Sequence, residues 1–372
     1  MKFIGLQENL KKGLNISSHT TSKNINLPIL NNLLIKAYSG EIEIIGTNLE
    51  IAVSSIVRGK VDSEGEFTVN SRLITDYINL LNNGEKVSFE LKENELIVES
   101  GSYKTKIKGE SSKEFPLIPS VDDGHSFSFD LINFKKALNN VIFAVSNSEN
   151  RLELTGVFFS FNEKNLELAA TDSYRLAEKS INYKSGETKG ITSIIIPSKT
   201  IQELLRILNN ITDEGDSVVE MVFSDNQVMF KFNSATIISR LLNGNYPDYK
   251  QIIPKNIKTN TVLNKAELLR AVKAAALFSK NGVNDIYLKV DKKGIDISSY
   301  SGSSGQSDIR VEAEVSGEKD NEITINYKYL IDGVNNIDSD TVEIGILNSN
   351  SPCVIKPTSV DDYIYIVMPI KQ

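Results

Sequence analysis

The chain has 372 residues, of which 40% are hydrophobic and 24% charged, and its net charge at pH 7 is −7. Such proportions are typical of globular proteins, and the length exceeds what one ordinary hydrophobic core accommodates. No apolar run approaches the ~20 residues of a membrane-spanning helix, and residues 1–8 become polar too early for a signal peptide. A cytoplasmic location is therefore expected. The negative charge argues against a protein that coats nucleic acid with its whole surface.

Few residues of the chain could build a catalytic or metal site. Its two histidines are not at ligand spacing with each other or with the single Cys353, so zinc and histidine-activated nucleophile sites have no support. Asp361 and Asp362 are adjacent, and adjacent strand residues point to opposite faces. Residues 301–305 are Gly/Ser-rich but lack the lysine and helix of a phosphate loop, and the whole Gly/Ser-rich run of residues 298–307 is expected to be a mobile loop. We expect no enzyme, no metal and no cofactor.

Three eight-residue stretches share one pattern and divide the chain into similar thirds. Each has a β-branched residue, then Asn or Pro, a base, an aliphatic residue and an acid at fixed offsets, at residues 69–76, 196–203 and 325–332. Asn, Ser and Pro at the front are typical of helix starts. In the second copy, apolar residues follow at the i, i+3, i+4, i+7 spacing of an amphipathic helix. The chain is therefore predicted to be a threefold repeat.

A second helical pattern opens each copy, and strands lie between the two helices. The pattern of apolar residue, base and apolar residue occurs at residues 10–14, 134–138 and 268–272. Alternating segments separated by polar turns, as around residues 92–95 and 224–227, indicate β-hairpins. We predict an α+β fold of three repeated domains, each with two helices packed on antiparallel sheet. The predicted domains are residues 1–120, 126–254 and 260–372.

Four motifs resemble those of one protein family, in order and at the family's spacing. They are LPILNNLL at residues 27–34, TDSYRLA at 171–177, YPDY at 246–249 and YIVMPI at 365–370. With the threefold repeat, they resemble the bacterial DNA polymerase III β subunit, the sliding clamp family. The resemblance implies the DNA clamp fold and a head-to-tail homodimer whose six domains close a ring around duplex DNA. It also implies a non-catalytic processivity factor that tethers the replicative polymerase, is placed on DNA by a separate clamp loader, and needs no cofactor.

Basic residues at matching helix positions are the candidate DNA contacts. Twelve helices side by side at about 10 Å spacing would surround a bore of about 30 Å, enough for a duplex. Phosphate contacts from such helices carry no sequence information and permit sliding. The alternative is that these bases only solvate exposed helix faces. The helix bases are Lys12, Lys136, Arg270, Arg72, Lys199 and Lys328, to which the resemblance adds Lys23 and Arg151.

The resemblance also implies an apolar cleft between the second and third domains that captures short peptides with Leu and Phe anchors. The C-terminal stretch is unusually apolar, and too little chain follows it to cover it. The alternative is that residues 363–368 form only the last strand, with Leu154 and Leu176 in the core. The implied cleft residues are Leu154, Thr171, Ser173, Tyr174, Arg175, Leu176, Pro247, Gln251, Ile252, Pro352, Val367, Met368, Pro369 and Ile370.

For the contact between subunits, the resemblance points to a strand of the first domain and a helix end of the third. Backbone pairing through Thr105 and Ile107 would extend a sheet across the interface, and lysines beside them could meet acids of the partner. The alternative is that these lysines keep an exposed edge soluble. The implied interface residues are Lys104, Thr105, Lys106, Ile107, Leu277 and Phe278.

Two other classes of function remain open from the sequence. A repeat-built scaffold that binds proteins without encircling DNA would be indifferent to charge reversal at the helix bases. A nucleic-acid enzyme with a carboxylate site would show metal-dependent turnover that one Asp or Glu substitution abolishes. A clamp would instead show no turnover, and would be retained on closed circular DNA but lost from linear ends.

Overall fold

The computed structural model describes residues 1–21, 26–38, 40–121, 124–186, 192–210, 217–280, 282–302 and 305–371. The chain forms two compact units. The first consists of Met1–Leu131, Lys184–Glu187 and Arg206–Leu241, and the second of Ile132–Tyr183, Thr188–Leu205 and Leu242–Gln372. No helix in the described part of the chain is both long and apolar enough to cross a membrane.

The described residues form six α-helices, two for each predicted repeat. They are α1 (Gln7–Ser17), α2 (Ser71–Leu80), α3 (Leu131–Ile142), α4 (Ser198–Asn209), α5 (Lys265–Ala276) and α6 (Tyr327–Asn335). The amide oxygen of Asn70 accepts the Leu73 N–H at 3.0 Å, and that of Asn326 accepts the Lys328 N–H at 2.9 Å. Each bond satisfies an N–H group that the first helical turn leaves free. The prediction that the repeated stretches start helices is confirmed.

Strands make up most of the rest of the chain. Those of the first third are β1 (Lys2–Leu6), β2 (Asn32–Tyr38), β3 (Glu41–Thr47), β4 (Ile51–Ser63), β5 (Gly65–Asn70), β6 (Lys86–Lys92), β7 (Glu95–Ser100) and β8 (Tyr103–Glu110). Those of the second are β9 (His125–Asp130), β10 (Gly156–Phe161), β11 (Asn165–Thr171), β12 (Arg175–Asn182), β13 (Ser185–Gly186), β14 (Thr192–Pro197), β15 (Val218–Phe223), β16 (Gln227–Phe232) and β17 (Ala235–Arg240). Those of the last are β18 (Thr259–Asn264), β19 (Asp285–Asp291), β20 (Gly294–Ser301), β21 (Gly305–Glu312), β22 (Glu314–Gly317), β23 (Asn321–Asn326), β24 (Thr341–Ile346), β25 (Cys353–Pro357) and β26 (Tyr363–Val367).

The first unit is built on one antiparallel sheet of 13 strands. Its order is β1-β6-β7-β8-β5-β2-β3-β4-β17-β16-β15-β9-β13, and β1 also pairs with β4. Helices α1 and α2 cover it with the buried side chains of Leu10, Leu14, Ile74 and Ile78. Burying these apolar side chains against the strands is the main source of stability for such a layer. The unit therefore has the predicted arrangement of helices on antiparallel sheet.

The second unit contains two antiparallel sheets. One has nine strands in the order β14-β10-β11-β12-β26-β25-β24-β18-β22, and the other has four in the order β21-β20-β19-β23. Within the nine-stranded sheet, β12 of the second repeat pairs with β26 at the end of the third. This pairing brings residues 175–179 beside residues 363–367, although they are far apart in the sequence.

The hairpins predicted from alternation are present, for example β6–β7 and β15–β16. One local prediction is wrong. The Gly/Ser-rich residues 298–307 suggest a mobile loop, but β20 continues to Ser301 and β21 begins at Gly305, with Ser299 opposite Ser307. Small side chains do not prevent strand pairing where neighbouring strands fix the register. Residues 303 and 304 lie outside the described part of the chain.

Candidate peptide-binding, DNA-facing and subunit-contact sites

The sheet pairing brings two predicted cleft segments together in the second unit. Arg175 lies opposite Val367 and Leu176 opposite Ile366 in the β12–β26 ladder. The N–H of Met368 donates to the carbonyl of Tyr174 at 2.9 Å, just beyond the ladder. The turn before β12 and the C-terminal segment after β26 therefore form one continuous surface.

One face of this ladder carries a buried apolar cluster. Leu176 and Ile366 pack there with Ala169, Tyr249 and Val354. Directly paired residues share a face and successive residues alternate, so Val367 points to the opposite face with Arg175. Val367 was the predicted cleft residue, but Ile366 is the neighbour that joins the cluster, and two adjacent apolar residues do not indicate from the sequence which of them faces it. Tyr246, Tyr249 and Val354 were also missed, since only the long-range pairing places them in this cluster.

The predicted cleft residues differ in exposure, and among the buried ones Leu176 lies on the apolar face described above. Leu154, Thr171, Leu176 and Val367 are buried, and the exposed fractions of Tyr174 and Ile252 are 63% and 38%. Exposed apolar side chains beside an apolar floor are typical of a surface that binds another molecule. Ser173 and Gln251 are exposed, and the partly buried members are Arg175, Pro247, Pro352, Met368, Pro369 and Ile370.

A turn stabilised by its own side chains presents Tyr174 to solvent. The hydroxyl of Thr171 donates to the carbonyl of Arg175 at 2.6 Å and accepts the Ser173 N–H at 3.1 Å. One carboxylate oxygen of Asp172 accepts the N–H groups of Tyr174 and Arg175 at 2.9 and 3.0 Å. Ser173 has a positive φ of 77°, which only this closed hydrogen-bond set makes acceptable for a non-glycine residue.

Arg175 connects this turn to helix α6 through two ion pairs. Its side chain is 12% exposed, and its guanidinium bonds Asp172 at 3.0 Å and Asp332 at 2.6 Å. The same group lies 4.7 Å from the ring centre of Tyr329 and 5.6 Å from that of Phe143. Charge-assisted bonds and ring contacts of this kind are strong when shielded from water. Arg175 therefore links the turn of residues 171–175 to helix α6, and its charge is paired inside the protein.

Burial favours the neutral forms of three ionisable groups in and around the cluster. Burial raises the pKa of the Tyr246 and Tyr249 hydroxyls well above the ordinary value, and it also raises the pKa of the Glu178 carboxyl. The ammonium of Lys250 bonds Glu167 at 2.6 Å at the edge of the same region. An apolar floor with neutral phenols around it favours an apolar anchor over a charged one.

The helix bases occupy identical positions in the three repeats. Each is the second residue of α2, α4 or α6, or the sixth of α1, α3 or α5. All six side chains are exposed, as is Arg151, whereas Lys23 lies outside the described residues. Arg72 pairs with Asp76 at 3.5 Å and Lys136 with Asp338 at 3.1 Å. Exposed pairs of this kind are weak and exchange readily for other anions.

Strand β8 has an open edge at the predicted subunit contact. It pairs along Tyr103–Lys108 with β7, but with β5 only at Gly109 and Glu110. Ile107 is 3% exposed and belongs to the core of the first unit, so it could offer a partner only its main chain. Lys104 and Lys106 reach Glu99 and Glu95 on β7 at 2.5 and 3.5 Å.

The other predicted contact residues follow helix α5. Leu277 is 76% exposed, and Phe278 is partly buried near the start of β21. Beside them, β21 forms one edge of the four-stranded sheet. Across the described residues, no group of three or more His, Cys, Asp or Glu side chains is placed to hold a metal ion.

Three family models match consecutive parts of the chain. The N-terminal domain of the DNA polymerase III beta subunit matches residues 1–119, its central domain residues 130–248, and its C-terminal domain residues 250–371. The chain belongs to the DNA polymerase III beta subunit family. The resemblance and the clamp fold expected from the sequence are thereby confirmed, as is a sliding clamp function without catalysis, and the DNA-free scaffold is not supported.

Individual relatives agree with this assignment over their full lengths. The beta sliding clamp of Staphylococcus epidermidis is 28% identical over 382 residues, covering 100% of this chain and 99% of the relative. That of Staphylococcus aureus is 29% identical and covers 96% of each chain. Among solved structures, the Bacillus subtilis sliding clamp has a TM-score of 0.93 at 26% identity, covering 100% of this chain and 99% of that one. The Pseudomonas aeruginosa clamp bound to griselimycin has a TM-score of 0.94 at 26% identity and covers 100% of both.

Replacing Arg175 with alanine should destabilise the second unit. The change leaves Asp172 and Asp332 without their shared cation, and removing one partner of a buried pair costs about 3–5 kcal/mol. Because Asp332 is 46% exposed, we expect about 2–3 kcal/mol after allowing for solvent screening. Differential scanning calorimetry checks this as a lowered unfolding midpoint. Arg151→Ala is the matched control, since that exposed arginine should change stability by less than about 0.5 kcal/mol. Equal effects of the two variants would refute the role given to Arg175.

Proposed function

We propose that two copies of this chain join head to tail into a ring of six domains, three from each copy, with boundaries near residues 1–120, 126–254 and 260–372. The ring encircles duplex DNA without reading its sequence and tethers the replicative polymerase and other DNA-processing proteins. A clamp loader places it on DNA in the cytoplasm, where the chromosome is replicated. The observation that carries this proposal is the exposed base at the same position of every equivalent helix.

The positions of these bases reconcile an acidic protein with DNA. A net charge of −7 repels phosphates at long range, and six exposed helix bases per chain create a local surface of opposite sign. Lysine and arginine contacts with phosphate are independent of sequence and weaken with salt. Such contacts hold DNA loosely, while closure of the ring prevents escape. We propose Lys12, Arg72, Lys136, Arg151, Lys199, Arg270 and Lys328 as these contacts, and Lys23 on the resemblance alone.

The cleft of the second unit is the proposed docking site for partners. Leu176 and Ile366 form its apolar floor, and the exposed atoms of Tyr174, Ile252 and Met368 form its rim. A methionine adapts its shape to different ligands, which suits a site shared by several partners. An extended peptide that inserts a Leu or Phe side chain would bury apolar surface at little cost in polar groups. Thr171 and Arg175 support the wall and need not touch the peptide.

Two open strand edges support the subunit contact. The edge of β8 carries Lys104, Lys106 and Lys108, and the edge strand β21 carries Asp308 and Glu312 among its exposed residues. Antiparallel pairing of one with the other would satisfy free main-chain groups and bring opposite charges together. Leu277 and Phe278 lie beside β21 and would add apolar contact. Each ring would contain this contact twice, as a closed head-to-tail dimer requires.

Comparing retention of the protein on circular and on linear DNA tests whether the two chains form a closed ring. Loaded onto a nicked circular plasmid by its own clamp loader, the protein should remain bound through gel filtration, and cutting the plasmid once should release it. Changing Lys12, Lys136 and Arg270 to alanine should lower the salt dependence of DNA binding by up to ~0.9 per lost phosphate contact. Lys231→Ala, on strand β16, should leave the slope unchanged. Equal retention on circular and linear DNA would contradict the ring.

Trimming the cleft rim should weaken peptide binding without unfolding the protein. We expect Met368→Ala and Ile252→Ala each to lower the affinity for a short Leu/Phe-containing peptide about tenfold, since each truncation removes about 1–2 kcal/mol of apolar contact. Fluorescence anisotropy with a labelled peptide measures the change. Val360→Ala removes an apolar side chain of similar exposure away from the cleft and should change nothing. A loss no larger than that of Val360→Ala would refute the site.

A further inference from the structure

The turn that builds the cleft wall occurs a second time, in the first unit. The hydroxyl of Thr47 donates to the carbonyl of Ile51 at 3.0 Å and accepts the Leu49 N–H at 3.1 Å. The amide oxygen of Asn48 accepts the N–H groups of Glu50 and Ile51 at 3.0 and 2.8 Å. These are the same four bonds that close the turn from Thr171 to Arg175.

The two turns share a rare backbone conformation. Leu49 has a φ of 77°, the same value as Ser173. A positive φ is unusual for a side chain as large as leucine and costs about 1–3 kcal/mol, so it persists only where surrounding bonds enforce it. The leucine remains 46% exposed. An exposed apolar side chain on a strained turn is typical of a surface with a binding role.

The strands behind the two turns pair in the same register. Ala52 lies opposite Ile238 in the first unit, as Leu176 lies opposite Ile366 in the second. The N–H of Arg240 donates to the carbonyl of Glu50 at 3.2 Å, as that of Met368 donates to Tyr174. Arg240 is therefore the structural counterpart of the cleft residue Met368.

The first unit also has a cavity of about 190 Å³ at this place. Phe115 and Ile118 pack on Ile45 and Leu34 beside it, and Phe115–Pro116 repeats the order of Tyr246–Pro247 in the cleft. Next to this cluster, Leu117 is 98% exposed. The cavity is lined by Leu49, Ala52, Leu117, Ile118, Ile238 and Arg240 among others.

The volume of the cavity and the charge at its rim indicate which kind of group would bind there. Sites for whole small molecules measure about 300–1,000 Å³, so this cavity accommodates one apolar side chain rather than a free ligand. Arg240 is exposed, and its guanidinium makes no hydrogen bond or ion pair with another described residue. A guanidinium at the rim of an apolar cavity selects a carboxylate. Glu50 also lines the cavity, and its carboxylate repels further acidic side chains. The site should therefore accept a partner segment with one Asp or Glu and reject a segment with several.

We propose that this cavity is a second peptide-binding site, which takes one apolar side chain of an extended partner segment and pairs Arg240 with an Asp or Glu next to that anchor. This inference rests on the proposed function, because the cavity is compared with the proposed peptide cleft. The two sites should prefer different peptides, because the cleft has Met368 where the cavity has Arg240. A ring built from two chains would carry two such sites besides its two clefts.

The test uses the full chain with labelled isoleucine methyl groups and NMR titration. Ile238 and Ile118 report on the cavity, and Ile252 and Ile370 report on the cleft. The probes are two synthetic hexapeptides containing Leu-Phe, one with Asp directly before the Leu and one with Asn. The Asp peptide should shift both sets of signals. The Asn peptide should shift the cleft signals equally, but it should bind at the cavity at least fivefold more weakly.

A conversion variant separates the two sites. Arg240→Met places the cleft's residue in the cavity and should abolish the difference between the peptides there, while the cleft titration stays unchanged. Movement of the cleft signals alone would overturn the second site and leave the cleft standing. Movement of neither set would overturn both. If a short DNA duplex of random sequence shifts Ile238 in a salt-dependent manner and neither peptide does, the cavity is a phosphate contact and the proposal is wrong.

Discussion

The pairing of a strand in one repeat with the last strand of the next is the constraint on which the rest of the structure depends. In the first unit β4 pairs with β17, and in the second β12 pairs with β26. Both pairs join repeats into a continuous antiparallel sheet, so main-chain hydrogen bonds run through the junction. Each junction places a turn beside the end of a strand from the next repeat. The proposed peptide cleft lies beside the second of these pairs, β12–β26.

Arg175 shows how the junction is stabilised and kept in shape. Its guanidinium lies close to two aromatic rings and bonds the acids of two different elements, the turn before β12 and helix α6. Asp332 is also the acid that ends the third repeated stretch of the sequence. One residue of the repeat pattern therefore anchors Arg175 beside the proposed cleft. Its counterpart Asp76 instead pairs locally with Arg72, which shows that repeated positions acquire different uses.

Local features of this fold could be predicted from the sequence, because they depend on neighbouring residues. The helix starts at Asn70 and Asn326, the hairpins and the positions of the helix bases all come from spacing within a few residues. The partners of strands could not be predicted this way. Leu176 and Ile366 meet across 190 positions of chain, and the apolar run around Ile366 gives no alternation from which to choose its inward face. For this reason the sequence does not distinguish Val367 from Ile366, and only the strand pairing shows that Ile366 joins the apolar cluster.

Closure of two acidic chains into a ring can be measured by small-angle X-ray scattering with in-line mass determination. We expect a mass of twice 41.3 kDa, a hollow distance distribution, and loss of both when Leu277 is changed to aspartate at the proposed contact. A particle with the mass of one chain at every concentration up to about 100 µM, a range in which weak dimers form, would contradict the ring. It would leave the threefold fold unchanged.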